Sequence, residues 1–166
     1  EVTPKSWIKY FLFTPGFMYI VFFRKSKSKN IVLRIVSKVF LRLLSIIYHF
    51  QIPSEVEIGE GFYIGHFGSI VINPKVKIGK NVNIAQGVTI GQTNRGKLKG
   101  VPTIGNEVWI GTNSVIVGKI TIGNNVLIAP NSYINRDIPD NSIVYGNPFI
   151  IKQNEKATED YINRKI

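Results

Sequence analysis

Isoleucine returns every six residues through much of this chain. Ile104, Ile110, Ile116, Ile122, Ile128 and Ile134 form one unbroken run, and Ile72, Ile78, Ile84 and Ile90 form another. Two residues before most of them stands a second apolar or small side chain, as at Val76, Val82, Val88, Val108, Ser114, Ile120, Val126 and Ser132. Glycine often follows, as at Gly79, Gly91, Gly105, Gly111 and Gly123. A period of six is three strand periods of two, so the same side chain returns to the same face after each short extended segment and its turn. A fixed repeat outranks any local propensity. This one predicts stacked coils of a β-helix around a column of inward isoleucines, each contributing about 1.5 to 3 kcal/mol by leaving water. The turns IGKN, IGNE and IGNN place glycine and asparagine where unusual backbone angles are needed.

The rhythm breaks twice. From Ile64 to Ile72 the step is eight, and from Ile90 to Ile104 it is fourteen. Elsewhere the position two after an inward isoleucine is polar (Glu60, Lys80, Gln86, Gln92, Asn106, Thr112, Asn124), which places it outward at a coil corner. His66 holds that slot after Ile64, and two extra residues push out a bulge beside it. It is therefore expected on a rigid surface wall and not in the core; the plain alternative is a solvated corner residue. The second break, GQTNRGKLKGVPT over residues 91–103, reads as a loop thrown out of the solenoid. Leu98 falls on the six-count before Ile104, which leaves open a coil side hidden inside that loop.

A length of 166 residues suits one domain with an appendage. The organisation read here is an N-terminal helical, basic and apolar segment over 1–51, a β-helix over 52–150, and a C-terminal tail with a short polar helix over 151–166. Cysteine is absent, which removes disulfides, thiolate nucleophiles and cysteine-ligated metals. The net charge of +11 is uneven: residues 1–50 carry nine Lys/Arg against one acidic residue, and the remainder twelve against nine. Residues 10–23 are apolar but broken by Pro15 and Gly16, short of the roughly 20 residues of a spanning helix. No small-residue cleavage site follows them, so export is not expected, and the chain is placed in the cytoplasm or on the inner face of the cell membrane. Residues 31–50 read as a helix because Arg34, Lys38 and Arg42 step by four along one stripe while nearly every other side chain is apolar. Such a helix is hidden either in a packed oligomer or against an anionic bilayer surface. No nucleic-acid reading motif accompanies the basic residues.

Taken in series, IGHFGSIVIN, NVNIAQGVTIG, the ejected loop, VPTIGNEVWIG and IPDNSIVYGNP resemble the hexapeptide acyltransferases over roughly residues 52–150. Within that group they look most like serine acetyltransferases and the relatives that O-acetylate polysaccharides. The resemblance implies a mainly β fold, a left-handed parallel β-helix that is an exception to the right-handed crossover rule. It also implies a homotrimer with active sites between subunits, acetyl-CoA as donor, and no metal. It assigns the catalytic histidine to His66. Coenzyme contacts fall on Gln92, Thr93, Arg95, Lys97 and Lys99 of the loop and on Gly111, Thr112, Ala129 and Pro130 of the coil edge; acceptor or oxyanion contacts fall on Asn83, Gln86 and Trp109. Gly65 stands where serine acetyltransferases carry an aspartate, Val101 stands where their loop carries a second histidine, and their long N-terminal helical domain is matched by about fifty residues. These departures turn the expectation toward a sugar hydroxyl of a capsular or exopolysaccharide, or its precursor. Serine O-acetyltransferase is the alternative, and a non-catalytic, membrane-associated trimeric scaffold is the rival of another class.

Acetyl transfer from a thioester to a hydroxyl needs a base, and a neutral imidazole has a pKa close to working pH. His66 is the only histidine among the repeats. Its other ring nitrogen needs a partner, for which Glu55, Glu57 and Glu60 are nearest in sequence. With no cysteine to carry an acyl group, direct transfer is expected, with the oxyanion met by backbone N–H groups or an amide such as Gln86. The loop cations read either as phosphate ligands or as a solvated face. Trp109, outward by period, stacks on a sugar or adenine or packs at a trimer seam. A zinc-dependent carbonic anhydrase on the same prism needs three histidines and is excluded; no glycine-rich strand–turn–helix of a nucleotide-binding domain is present. His49 is expected to bond the carbonyls of its helix end, and the tail to cap the solenoid.

Overall fold

The computed structural model describes residues 4–163 and 165–166. Three helices precede the repeats: α1 (Pro4–Phe13), α2 (Pro15–Lys25) and α3 (Ile31–Tyr48). Extended Thr14 followed by Pro15 at the first helical turn separates α1 from α2. The Asn30 side chain accepts from the Leu33 N–H at 3.0 Å and starts α3. His49 in the left-handed conformation (φ 59°) ends it.

Five coils then stack. Their strands are β1 (Phe50–Gln51), β2 (Glu57–Ile58) and β3 (Tyr63–Ile64); β4 (Ile70–Ile72), β5 (Lys77–Ile78) and β6 (Asn83–Ile84); β7 (Thr89–Gly91), β8 (Thr103–Ile104) and β9 (Val108–Ile110); β10 (Val115–Val117), β11 (Thr121–Ile122) and β12 (Val126–Ile128); and β13 (Tyr133–Ile134), a bridge from Ile138 to Ile122, and β14 (Ser142–Gly146). Three parallel sheets result, β1-β4-β7-β10-β13, β2-β5-β8-β11 and β3-β6-β9-β12-β14, with β15 (Phe149–Gln153) added antiparallel to the last. The register sets isoleucine on isoleucine, for example Ile58, Ile78, Ile104 and Ile122, and these side chains are buried in the lumen. The column predicted from the period is the core.

The prism has three edges. On the glycine edge, between the second and third sheets, Gly59, Gly79, Gly105 and Gly123 stack so closely that a Cβ on Gly79 would lie 2.5 Å from the Gly105 carbonyl oxygen. The N–H after Gly79, Gly105 and Gly123 is taken by a side-chain ladder: Lys80 donates to Asn106 Oδ1 (2.8 Å), Asn106 to Asn124 Oδ1 (2.8 Å) and Asn124 to Asp140 Oδ1 (2.7 Å). The polar slot here therefore also binds coil to coil.

The first coil has no coil beneath it, so its downward carbonyls would be orphaned. Helix α2 lies across this end. Lys27 Nζ donates to the Val56 carbonyl (2.7 Å), the Tyr19 hydroxyl to that of Ile52 (3.0 Å), and the Arg24 guanidinium to those of Ile58 and Gly59. Burial lowers the pKa of Arg24 and of Lys27 and raises that of Tyr19. Arg24→Met keeps the stem and removes the donors; it is expected to cost about 1 to 3 kcal/mol for each carbonyl left without a partner. A lower urea midpoint checks this, and an unchanged midpoint would contradict it.

Two expectations need correction and one open point closes. The described residues of the tail, 153–163 and 165–166, form no helix: β15 runs to Gln153 and successive turns span Glu155–Tyr161. The tail backbone bonds instead to prism side chains, since Asn125 Oδ1 accepts from the Thr158 N–H (3.2 Å) and hydroxyl (2.8 Å) and Asn83 Nδ2 donates to the Tyr161 carbonyl (3.1 Å). Within the tail the backbone closes mainly i→i−3 turns, with a single i→i−4 bond from the Ile162 N–H to the Thr158 carbonyl (3.1 Å) among the described residues. The tail thus caps the last coil through β15 and then descends the third sheet as far as Asn81, which exchanges two bonds with Ile166 (2.9 and 3.1 Å). Among the described residues the His49 ring makes no hydrogen bond to helix carbonyls; its own carbonyl accepts from the Ile70 N–H (3.1 Å). The fourteen-residue step hides no coil side, because β7 passes to β8 as in every other coil. Its surplus forms a hairpin closed by paired Thr93 and Gly100 bonds (both 3.0 Å), with Leu98 38% exposed. Among the described residues, no helix is long and apolar enough to cross a membrane.

Candidate functional site

The first break in the rhythm lies between β3 and β4. Ile64 pairs with Ile84 and Ile72 with Ile90, so Gly65–Val71 must bridge the gap that Ala85–Thr89 bridges one coil above. The longer stretch bulges outward. Its base is pinned to the end of α3, where the Gly68 N–H donates to the Tyr48 carbonyl (3.2 Å) and the Ile70 N–H to that of His49 (3.1 Å). Gly68 has φ 134°, open to glycine and strained for other residues. A Cβ there would also sit 3.2 Å from Gln86 Cβ, which shows Gln86 packed under the bulge.

His66 is exposed at the crest and has no hydrogen bond to another described residue. Beside it Phe67 is 66% exposed, with its ring 6.2 Å from that of Tyr48. Among the described residues Gln86 Oε1 is buried without a partner and no hydrogen bond uses Gln86 Nε2. Gln86, Thr112 and Pro130 follow His66 up one edge, each preceded by a small residue: Ala85, Gly111 and Ala129. A Cβ on Gly111 would meet Pro130 N at 2.6 Å, so this histidine edge is narrow and shallow.

None of the three glutamates suggested for the ring shares that edge. Glu57 pairs with Lys77 (3.3 Å), Glu60 with Lys80 (3.0 Å), and Glu55 accepts from the Ser54 hydroxyl (3.2 Å). Lys80 also holds the Glu60 carboxyl below the usual range by hydrogen bond and charge.

The loop candidates leave from the edge on the far side of the first sheet. There Asn73 Nδ2 donates to Gln92 Oε1 (3.1 Å), and Gln92 Nε2 to Asn94 Oδ1 (2.6 Å). Arg95, Lys97 and Lys99 are exposed and form no ion pair among the described residues. Val101 packs against the core. Within one chain the cations and His66 therefore occupy different prism edges. Asn83 and Trp109 point outward from the third sheet onto the chain's own tail: Asn83 binds Tyr161, and the Trp109 ring meets Tyr161 edge-on with centroids 4.7 Å apart. The structure thus groups Gln86, Thr112 and Pro130 with His66 and places the loop and Asn83–Trp109 elsewhere. The supporting carbonyls of Tyr48 and His49 and the aromatic Phe67 were missed by sequence reasoning; only Phe67, adjacent to the histidine, carried a readable signal. Among the described residues no group of three or more His, Cys, Asp or Glu could hold a metal ion.

The acetyl donor implied by the resemblance fits these residues. Ala85, Gly111 and Ala129 carry little or no side chain along this edge, where a pantetheine arm would lie, and the loop cations, without ion pairs among the described residues, carry the charge that its phosphates would need.

The bacterial transferase hexapeptide profile (six repeats) matches residues 102–136. Serine acetyltransferase from Bacillus subtilis is 36% identical over 129 residues, covering 75% of this chain and 59% of that protein. Serine acetyltransferase from Helicobacter pylori is 33% identical over 111 residues, covering 67% and 65%. The crystal structure of Neisseria gonorrhoeae serine acetyltransferase in complex with serine superposes with a TM-score of 0.71 at 27% identity, covering 86% of this chain and 59% of that one. The chain thus spans between about half and two thirds of the length of the curated relatives it matches. Its five-coil prism is the left-handed parallel β-helix, and the chain belongs to the hexapeptide-repeat transferases.

Proposed function

We propose that this chain moves an acetyl group from acetyl-CoA to a hydroxyl, with His66 as general base, at sites formed between copies of a trimer. The observation that carries the reading is the bulge at His66: surplus chain, a glycine at φ 134° and two carbonyls at the end of α3 support one exposed imidazole, and the Gln86 side chain packs under Gly68 of the same bulge. Acetyl-CoA supplies a thioester-activated acetyl group. The neutral His66 ring removes the acceptor's hydroxyl proton and returns it to the departing sulfur. Gln86 Nε2 is a candidate donor to the oxyanion. The separation of the loop from His66 on one chain supports the trimer, since a neighbouring prism would bring the two edges together.

The similarity to serine acetyltransferases favours L-serine as acceptor, which replaces the polysaccharide expectation. Gly65 and the core-facing Val101 favour a second reading, a different small hydroxyl acceptor. Coenzyme release with L-serine and with simple sugars separates them. Turnover with serine at an enzyme-like rate supports the first reading and turnover with a sugar alone the second; no release with any acceptor would leave the scaffold alternative standing. Arg95→Gln, Lys97→Gln and Lys99→Gln combined are expected to raise KM for acetyl-CoA about tenfold with kcat nearly unchanged, the pattern of lost phosphate binding. An unaltered KM would mark the loop as solvated only.

A further inference from the structure

Helix α3 divides its circumference into three arcs. Ser37, Leu41 and Leu44 are buried against the rest of the protein. Arg34, Lys38 and Arg42 step by four along one flank, and none has an ion-pair partner among the described residues. The remaining arc is apolar and open: Val32 is 67% exposed, Ile35 and Val39 56% each, Leu43 50%, Ile46 59% and Ile47 62%. Eighteen helical residues extend about 27 Å, so this face is long as well as wide.

Its charge surroundings narrow what can cover it. No acidic residue occurs between positions 2 and 54, whereas Lys25 and Lys29 in and beside the turn before α3 are exposed. A second copy docked face to face would set cation against cation with no carboxylate of this segment to answer. An apolar arc flanked by unpaired lysine and arginine instead matches a surface of hydrocarbon topped by negative headgroups.

We infer that α3 lies in the plane of an anionic lipid bilayer, with Val39, Leu43 and Ile46 immersed below the headgroups and Arg34, Lys38 and Arg42 against lipid phosphates. The helices would then set the prism on the membrane by its first coil. This is independent of the acetyl-transfer reading and adds a location to it.

Flotation of the full chain tests the inference, using vesicles of phosphatidylcholine alone and of phosphatidylcholine mixed with phosphatidylglycerol. Binding to the mixed vesicles is expected, weak on the neutral ones and reduced by salt. Arg34→Gln, Lys38→Gln and Arg42→Gln together should lower partition onto anionic vesicles about 100-fold. Val39→Asn, Leu43→Asn and Ile46→Asn together should abolish binding, with circular dichroism confirming retained helix. No flotation of the parent chain on anionic vesicles overturns the inference, as does equal binding by the apolar-face variant. If that variant sediments with a smaller mass than a parent chain that stays off vesicles, the face joins copies of the protein instead.

Discussion

His66→Ala is expected to lower acetyl transfer by about 10² to 10⁴-fold, the usual worth of one well-placed base. The residue is exposed and carries no bond that the fold needs, so the variant should fold and unfold like its parent. Two measurements together decide the role: steady-state turnover and the thermal midpoint. A large loss of kcat with an unchanged midpoint is the result of a residue that touches the reacting atoms. Retained turnover would remove His66 from the chemistry and favour the scaffold. Moving the crest without deleting the ring makes a graded comparison. Gly68→Ala should impair both quantities, because it strains the backbone at φ 134° and presses on Gln86.

Gly105→Val is expected to destabilise the prism by about 3 kcal/mol, at the upper end of the usual overpacking range. A Cβ at this position would lie 2.5 Å from the Gly123 carbonyl oxygen and 2.7 Å from its carbon. Those atoms belong to the next coil and cannot retreat, because the Gly123 N–H and the Asn124 N–H are tied to the Ile138 carbonyl (2.9 Å) and Asp140 Oδ1 (2.7 Å). Branching at Cβ adds volume where none exists. The measurement is the denaturant midpoint at constant slope; a variant as stable as the parent would show that the coils can separate locally along this edge.

The contrast between these two sites shows what the letters could carry. A lumen this narrow accepts one kind of side chain at one phase, so the period of six announced coils, core and the outward aim of His66 before any contact was known. Phase is a local property and reads well. The supports of the His66 bulge do not obey it: the Tyr48 and His49 carbonyls sit at the end of a helix that precedes the repeats, and the glutamates closest in sequence are turned onto other faces by the same rotation that made the prism legible. Leu98 fell on the six-count by coincidence, within a hairpin that belongs to no coil. The tail misled for the opposite reason. Its composition suits a helix, but Asn81 and Asn83 on the second coil and Asn125 on the fourth claim its backbone, and no local pattern reports such distant partners.

The same tail alters how the prism comes apart. A solenoid whose coils touch only their neighbours behaves as a one-dimensional stack and frays from its ends. Here a single strap descends from the fifth coil, past Asn125 and Trp109, to Asn81 in the second. Loosening any coil along that route also disturbs the strap's grip on the others. Four of the five coils are thereby laced into one cooperative unit, which gives amide protons along the third sheet nearly equal protection from exchange instead of a gradient running outward from the centre.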